Sequence, residues 1–170
     1  MTSALYDASV PVFIRALTNL SAILEKGKAF AEDSNIAHWE LLDARLIEDM
    51  APLTAQVQRA SDTAKGLVVR VGQMPNVTMP DEESSFDELQ ERLTKTIDLL
   101  RATPAAMFEG RDHADVILQT PSGDIPFTGE SYVYGFAVPN FFFHHTTAYA
   151  ILRMKGVPVG KLDFLGSMRN

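Results

Sequence analysis

Residues 131–155, SYVYGFAVPNFFFHHTTAYAILRMK, constrain the fold of this chain more than any other segment. Apolar residues recur there at intervals of three and four, which is the spacing that gives a helix one apolar face. Gly156 and Pro158 follow and predict the helix end, because glycine suits the C′ position and proline cannot continue a helix. Pro139 predicts either a kink or the true helix start. The predicted inward face comprises Tyr134, Val138, Phe141, Phe142, His145, Ala148, Tyr149 and Leu152.

Two adjacent histidines are the main candidates for chemistry in this segment. One residue step turns a helix by about 100°, so His144 and His145 cannot both point into one core. His145 belongs to the inward face, whereas His144 shares a neighbouring stripe with Asn140, Thr147 and Ile151 and should lie nearer an edge. A buried imidazole is either a core residue with both ring nitrogens hydrogen-bonded, or a metal ligand or general base. The spacing leaves these alternatives open.

The composition excludes several classes of protein. The chain has 170 residues and no cysteine, which excludes disulfides and thiolate metal sites and agrees with a cytoplasmic location. A net charge of −7 and the lack of a basic patch argue against nucleic-acid binding. We find no secretory signal and no uninterrupted apolar run of membrane-spanning length, so no membrane association is expected. An apolar content of 46% predicts one globular domain over residues 1–170.

Two further helices are predicted in the first half of the chain. Apolar spacing predicts the first over residues 3–26, with Gly27 as its C-cap. The second covers about residues 43–73. Pro52 interrupts it, so the sequence predicts either a bend or a short lead-in helix that ends near Met50.

The third helix and a hairpin follow. Ser85 and Glu88 match a capping box, and the third helix should end at Thr103 and Pro104 or be followed by one more turn through Phe108. Two short runs with strand-like composition, residues 114–119 and 125–128, flank a turn and predict a β-hairpin. Roughly 11 residues connect the second and third helices and can span about 35 Å, which allows these helices to run parallel. The predicted fold is an all-α four-helix bundle with the hairpin between helices three and four.

The segments ARLIEDMAPLTAQVQRASDTAK and NFFFHHTTAYAILRMKGVPVGKLDFLG resemble a bacterial family of unknown function. That family is similar in fold to the DinB and YfiT-like metalloenzymes. The resemblance covers nearly the whole chain and implies an up-down-down-up four-helix bundle, often a homodimer. It also implies a divalent metal held by three histidines, one on helix two and an H-x-x-x-H pair on the last helix. Some relatives transfer thiols such as bacillithiol or mycothiol, or isomerise maleylpyruvate conjugates.

The sequence departs from that ligand pattern. Its predicted second helix contains no histidine, and Ala148 and Tyr149 stand four residues after His144 and His145. At most one member of the H-x-x-x-H pair is therefore present. We predict a site centred on His145 and supplied by helix two, with candidate ligand-binding residues His145, Tyr149, Asp49 and Gln56. Should a zinc or nickel ion bind, its candidate ligands are His145, His144, Asp49 and Asp62.

Two functions remain open from the sequence. The first is a bundle that binds a small ligand or a partner without turnover and without a resident cofactor. The alternative is a divalent-metal-dependent enzyme, thiol-transferase-like or hydrolase-like. We also expect a homodimer through Phe143 or the hairpin, because Phe143 cannot share the core with its two neighbours and exposed aromatics are typical of interfaces.

Overall fold

A computed structural model describes residues 3–167. The chain is mostly helical and carries one small two-stranded antiparallel sheet, as the hydrophobic spacing predicts. The helices are α1 (Ala4–Asp7), α2 (Val10–Asp33), α3 (His38–Leu42), α4 (Leu53–Arg70), α5 (Phe86–Arg101), α6 (Gly129–Tyr132), α7 (Val138–Met154) and α8 (Lys161–Leu165). The strands are β1 (Asp115–Thr120) and β2 (Gly123–Thr128).

The first predicted helix is in fact two helices, and the second of them extends further. Pro11 lies in the first turn of α2, where its missing N–H costs no hydrogen bond. The prediction that Gly27 ends the helix is wrong, because α2 continues to Asp33. A Cβ at Gly27 would lie 3.1 Å from Leu152 Cδ2 on α7. This glycine therefore serves close packing between helices rather than capping.

The second predicted helix starts ten residues later than expected. Pro52 has extended backbone angles and stands immediately before α4, because its ring disfavours helix in the preceding residue. Both alternatives for this region, a bend and a lead-in helix ending near Met50, are wrong. Residues 43–50 form turns, and Ile47 is 62% exposed there.

The predicted cap of the third helix is present with one change of partner. Ser85 Oγ accepts a hydrogen bond from the Glu88 amide at 3.2 Å, as expected for a capping serine. The glutamate carboxylate reaches Ser84 N at 2.7 Å rather than the amide of the capping residue itself. The start of α5 is therefore fixed by the polar groups of Ser84, Ser85 and Glu88.

The hairpin between α5 and α6 is confirmed, with a tighter turn than predicted. β1 and β2 are joined by Pro121 and Ser122 alone, and Val116 pairs with Phe127. Val116 is buried, and the Phe127 ring lies edge-on to Tyr132 at 5.6 Å. One face of the hairpin thus packs on the helices, which a two-stranded sheet needs for stability.

The fourth predicted helix is divided by a π-helical turn over Val133–Ala137. Pro139 is the second residue of α7, where its missing N–H is tolerated. The wider turn changes the phase of the residues before it, and Tyr134 is 47% exposed instead of facing inward as predicted. Gly156 has φ +94°, which confirms the predicted helix end.

The apolar character of the N-terminal region is explained by burial. By length and composition alone, Ala4–Asp33 is apolar enough to cross a membrane, a test that the core helix of a soluble protein also passes. Its inward residues carry no exposed surface because they meet the other helices in the core. They include Phe13, Leu17, Leu20, Ile23 and Leu24.

Side-chain contacts give the relative directions of the long helices. His144 meets Gln56 and Asn140 meets Thr63, so residue numbers run in opposite senses along α7 and α4. The Phe141 ring stacks on Phe13 at 4.1 Å, in the same core where the His145 ring contacts α2. On the other side of α2, the contacts to α5 are Ser21–Gln90 and Lys28–Asp87.

A buried arginine ties the connection before α5 to the helices. The Arg92 side chain is 1% exposed and lies between Asp62 at 2.8 Å, Asp81 at 2.9 Å and Glu83 at 2.9 Å. Its Nε also donates to Ser61 Oγ at 3.1 Å. These bonds satisfy a charge that would be expensive to bury alone.

Arg92→Met should destabilise the protein by about 3 kcal/mol, because it leaves the nearly buried Glu83 carboxylate without its cation. Urea unfolding followed by circular dichroism measures this loss. Arg101→Met is the matched control, since that side chain is 62% exposed and lies 3.9 Å from Asp98. Equal losses in the two variants would contradict a structural role for the cluster.

Candidate functional site

His145 lies in the core, where the helical spacing places it, with no exposed surface. Its Nε2 donates a hydrogen bond to the Ala16 carbonyl on α2 at 2.9 Å. The ring is surrounded by Phe141, Phe142 and Phe164, at centroid distances of 5.9, 6.2 and 4.5 Å. The polar partner of His145 therefore comes from α2, which corresponds to the first predicted helix. The prediction that the second predicted helix, α4 in the structure, supplies this partner is wrong.

The second ring nitrogen of His145 has no partner. Because Nε2 carries the proton, Nδ1 is an acceptor, and it makes no hydrogen bond within residues 3–167. Of the alternatives left open, a core histidine with both ring nitrogens hydrogen-bonded is met at one nitrogen only. Burial lowers the pKa of His145 to about 4, with the Ala16 carbonyl opposing the shift. The ring is neutral near pH 7 and enclosed by aromatic side chains, as in a core histidine.

His144 contacts the helix that was expected to serve His145. Its Nδ1 donates to Gln56 Oε1 at 2.8 Å, and the Gln56 amide nitrogen donates to the Ala51 carbonyl at 2.9 Å. One residue step turns the side-chain direction on α7 by about 100°. His144 therefore points towards α4, whereas His145 points towards α2. His144 is 8% exposed, and its Nε2 makes no hydrogen bond with any described residue and keeps contact with solvent.

Burial lowers the pKa of His144 to about 4, and the nearby charge of Arg59 lowers it further in the same direction. The exposed Phe143 ring stands edge-on to the imidazole at 5.2 Å. We call Gln56, Arg59, Phe143 and His144 the α4–α7 seam. It presents a neutral imidazole whose orientation is fixed by an amide and whose second nitrogen is a free acceptor.

The other predicted site residues do not join either histidine. Asp49 lies exposed in the connection before α4 and makes no hydrogen bond or ion pair with the part of the chain that the structure describes. Asp62 pairs with Arg92 at 2.8 Å and with Lys65 at 3.2 Å. Tyr149 is half-buried. Its ring centroid lies 5.9 Å from that of Phe164, which in turn contacts His145.

The residues present do not fit a three-histidine metal centre. The α4 residue opposite His144 is Gln56, and α7 offers Asn140, bonded to Thr63, one turn earlier. Across residues 3–167, no three histidine, aspartate or glutamate side chains come together in a way that could hold an ion. Zinc normally requires three or four close ligands.

Sequence reasoning missed the backbone acceptor and the cover of His145. Ala16 is small, and such a residue on an inward face leaves its carbonyl accessible to a neighbouring side chain; this was the available signal. The sequence pattern assigned no role to Phe164. Its position over His145 depends on α8 folding back against α2, where Asn19 donates to the Phe164 carbonyl at 3.1 Å.

Unfolding free energy should fall as the pH drops from about 6.5 to about 4, because the unfolded chain binds protons at histidines that stay neutral in the folded state. His145 contributes on the order of 3 kcal/mol to this fall, and His144, which keeps contact with solvent, contributes less. His145→Phe should remove more than half of the slope in urea unfolding across this range. Ile125→Phe, an exposed substitution that removes no titratable group, should leave the slope unchanged. An identical slope in His145→Phe and the wild type would show that His145 is not a buried neutral base.

Comparison with known proteins places the chain in a family. The model of the domain of unknown function DUF1993 matches residues 5–165. The crystal structure of a DinB family member protein from Shewanella denitrificans is 38% identical, with a TM-score of 0.89, over 98% of this chain and 94% of that one. No curated protein matches the chain. The chain therefore belongs to the DUF1993 family and has a DinB-like helical fold.

Proposed function

We propose that this protein binds a small molecule or a partner at the α4–α7 seam, without a resident metal and without turnover. The observation that carries the proposal is the free Nε2 of His144, which contacts solvent while Nδ1 is held by Gln56 at 2.8 Å. This proposal moves the centre of the site from His145 to His144. His145 is sealed by three phenylalanine rings and offers nothing to solvent.

The seam favours a ligand with a hydrogen-bond donor beside an apolar group. A neutral imidazole held by a neighbouring amide accepts a hydrogen bond with little loss of freedom on binding. Phe143, 55% exposed, supplies apolar area next to that acceptor. Few polar groups beside an aromatic surface are typical of ligand and partner sites.

The fold itself supports a more specific arrangement. We propose that α2, α4, α5 and α7 form an up-down-down-up four-helix bundle. The opposed numbering of contacts between α4 and α7 and between α2 and α5 supports it, as does the shared direction of α2 and α7. In this arrangement the seam lies along one antiparallel helix pair. A cytoplasmic location is part of the same proposal.

Protein-observed NMR with a fragment library tests the seam. Fragments that combine a hydrogen-bond donor with an aromatic ring should shift the amide resonances of Arg59, Phe143 and His144. The His144→Phe variant should bind these fragments at least about tenfold more weakly, because it lacks the acceptor nitrogen. His113→Phe is the control at an exposed histidine. Hits confined to other surfaces, or hits that bind His144→Phe equally well, would contradict the proposal.

Metal analysis of protein purified without a histidine tag distinguishes this proposal from the alternative, a divalent-metal-dependent enzyme. We expect substoichiometric zinc, nickel and manganese and an unchanged melting temperature with EDTA, because the donor set lacks a third ligand. Near-stoichiometric metal that is lost in His144→Phe would favour the metal-dependent enzyme instead.

We also propose a homodimer through the surface that carries Phe143. Light scattering should give twice the mass of one chain, and Phe143→Ser should shift the population towards monomer by removing exposed aromatic area. Ile125, on the hairpin, is 43% exposed. Ile125→Ser tests the hairpin as the other predicted interface, because it should favour monomer only if the hairpin forms the dimer contact. A monomeric wild-type mass would exclude both.

A further inference from the structure

A concave surface lies on the far part of α4, away from His144. It is an open groove of about 540 Å³ between α4, the connection after it and β1. We call it the α4–β1 groove, and the residues that matter for its chemistry are Asp62, Lys65, Gly66, Arg70, Asn76 and Gln119. Its volume falls within the range of small-ligand sites.

Arg70 is held in a fixed orientation in this groove. Its Nη1 donates to the Tyr132 hydroxyl at 3.1 Å, and the guanidinium carbon lies 5.9 Å from the centre of that ring. Tyr132 has no exposed surface, so it is a rigid anchor. Burial raises the pKa of Tyr132, and the neutral hydroxyl therefore orients Arg70 without neutralising its charge.

The remaining guanidinium donors of Arg70 are unused. An arginine has five N–H donors, and a single side-chain hydrogen bond is formed within residues 3–167. No carboxylate of the described residues forms an ion pair with Arg70. A partly buried, oriented arginine with free donors is the arrangement that recognises carboxylate and phosphate groups.

Gly66 makes room for this arginine. A Cβ at Gly66 would collide with Arg70 Nη1 and would come within 3.4 Å of the Tyr132 hydroxyl. Glycine is unfavourable within a helix, so its presence in the middle of α4 is otherwise unexplained by local stability. The missing side chain lets the guanidinium lie across the helix backbone.

The groove is positive although the chain has a net charge of −7. Lys65 and Arg70 contribute two positive charges and Asp62 one negative charge. Asp62 pairs with Lys65 at 3.2 Å and is shared with Arg92 at 2.8 Å, which leaves Arg70 as the cation of the groove without a carboxylate partner among the described residues. Asn76 and Gln119 add amide donors on the opposite wall.

We propose that the α4–β1 groove binds the anionic group of a small molecule, a carboxylate or a phosphate, with Arg70 as its anchor and Lys65 as the second cation. The site is independent of the α4–α7 seam. It adds an anion-binding function to a protein whose net charge is −7.

Titration of ¹⁵N-labelled protein with inorganic phosphate, and separately with succinate, tests the site at constant ionic strength. At least one anion should shift the amides of Lys65, Gly66, Arg70 and Gln119 saturably. Arg70→Met should weaken binding at least about tenfold by removing the charged hydrogen bonds. Arg153→Met, which removes an exposed arginine from the last turn of α7, should bind as the wild type does.

Gly66→Ala is the decisive second variant, because it keeps every charge and displaces only the guanidinium. It should fold, as alanine favours helix, and yet lose the anion. Saturation by phosphate alone or by succinate alone identifies which group the groove prefers. The proposal is overturned if neither anion gives saturable shifts at these amides, or if either Arg70→Met or Gly66→Ala binds with wild-type affinity.

Discussion

Adjacent residues on α7 point about 100° apart, and this rotation assigns the two histidines to different helix interfaces. His145 faces α2 and finds a backbone carbonyl at 2.9 Å, whereas His144 faces α4 and finds a glutamine at 2.8 Å. The chemistry of the site depends on that division. One imidazole is fully enclosed in the core, and the other, 8% exposed, has a nitrogen that is not fully enclosed.

The partners also determine what each histidine can do. A backbone carbonyl in the middle of a helix can only accept a hydrogen bond, so it fixes the His145 tautomer and leaves Nδ1 as a buried acceptor. Gln56 similarly fixes the His144 tautomer, but there the remaining acceptor is not fully enclosed. A glutamine amide is neutral and a weak metal ligand, which is why the seam is better suited to hydrogen bonding than to coordination.

The sequence was sufficient for element types and much less so for their ends. Apolar spacing correctly indicated long helices and a hairpin, because burial of one face dominates both patterns. Gly27 was misread as a cap since tertiary packing against Leu152, which one helix cannot reveal, explains it. His145 could be placed in the core from periodicity alone. Its partner could not, because a backbone carbonyl leaves no mark in the sequence beyond a small residue at Ala16.

The π-helical turn over Val133–Ala137 connects the two surfaces discussed above. A π-helical turn contains one more residue than an α-helical turn, so it rotates the side chains before it relative to those after it. Tyr132 on the near side is thereby directed to Arg70, while the histidines on the far side keep their alignment with α2 and α4. The wider turn thus sets the rotation of Tyr132 relative to the two histidines. Homologous chains without this turn would have to orient Arg70 by other means.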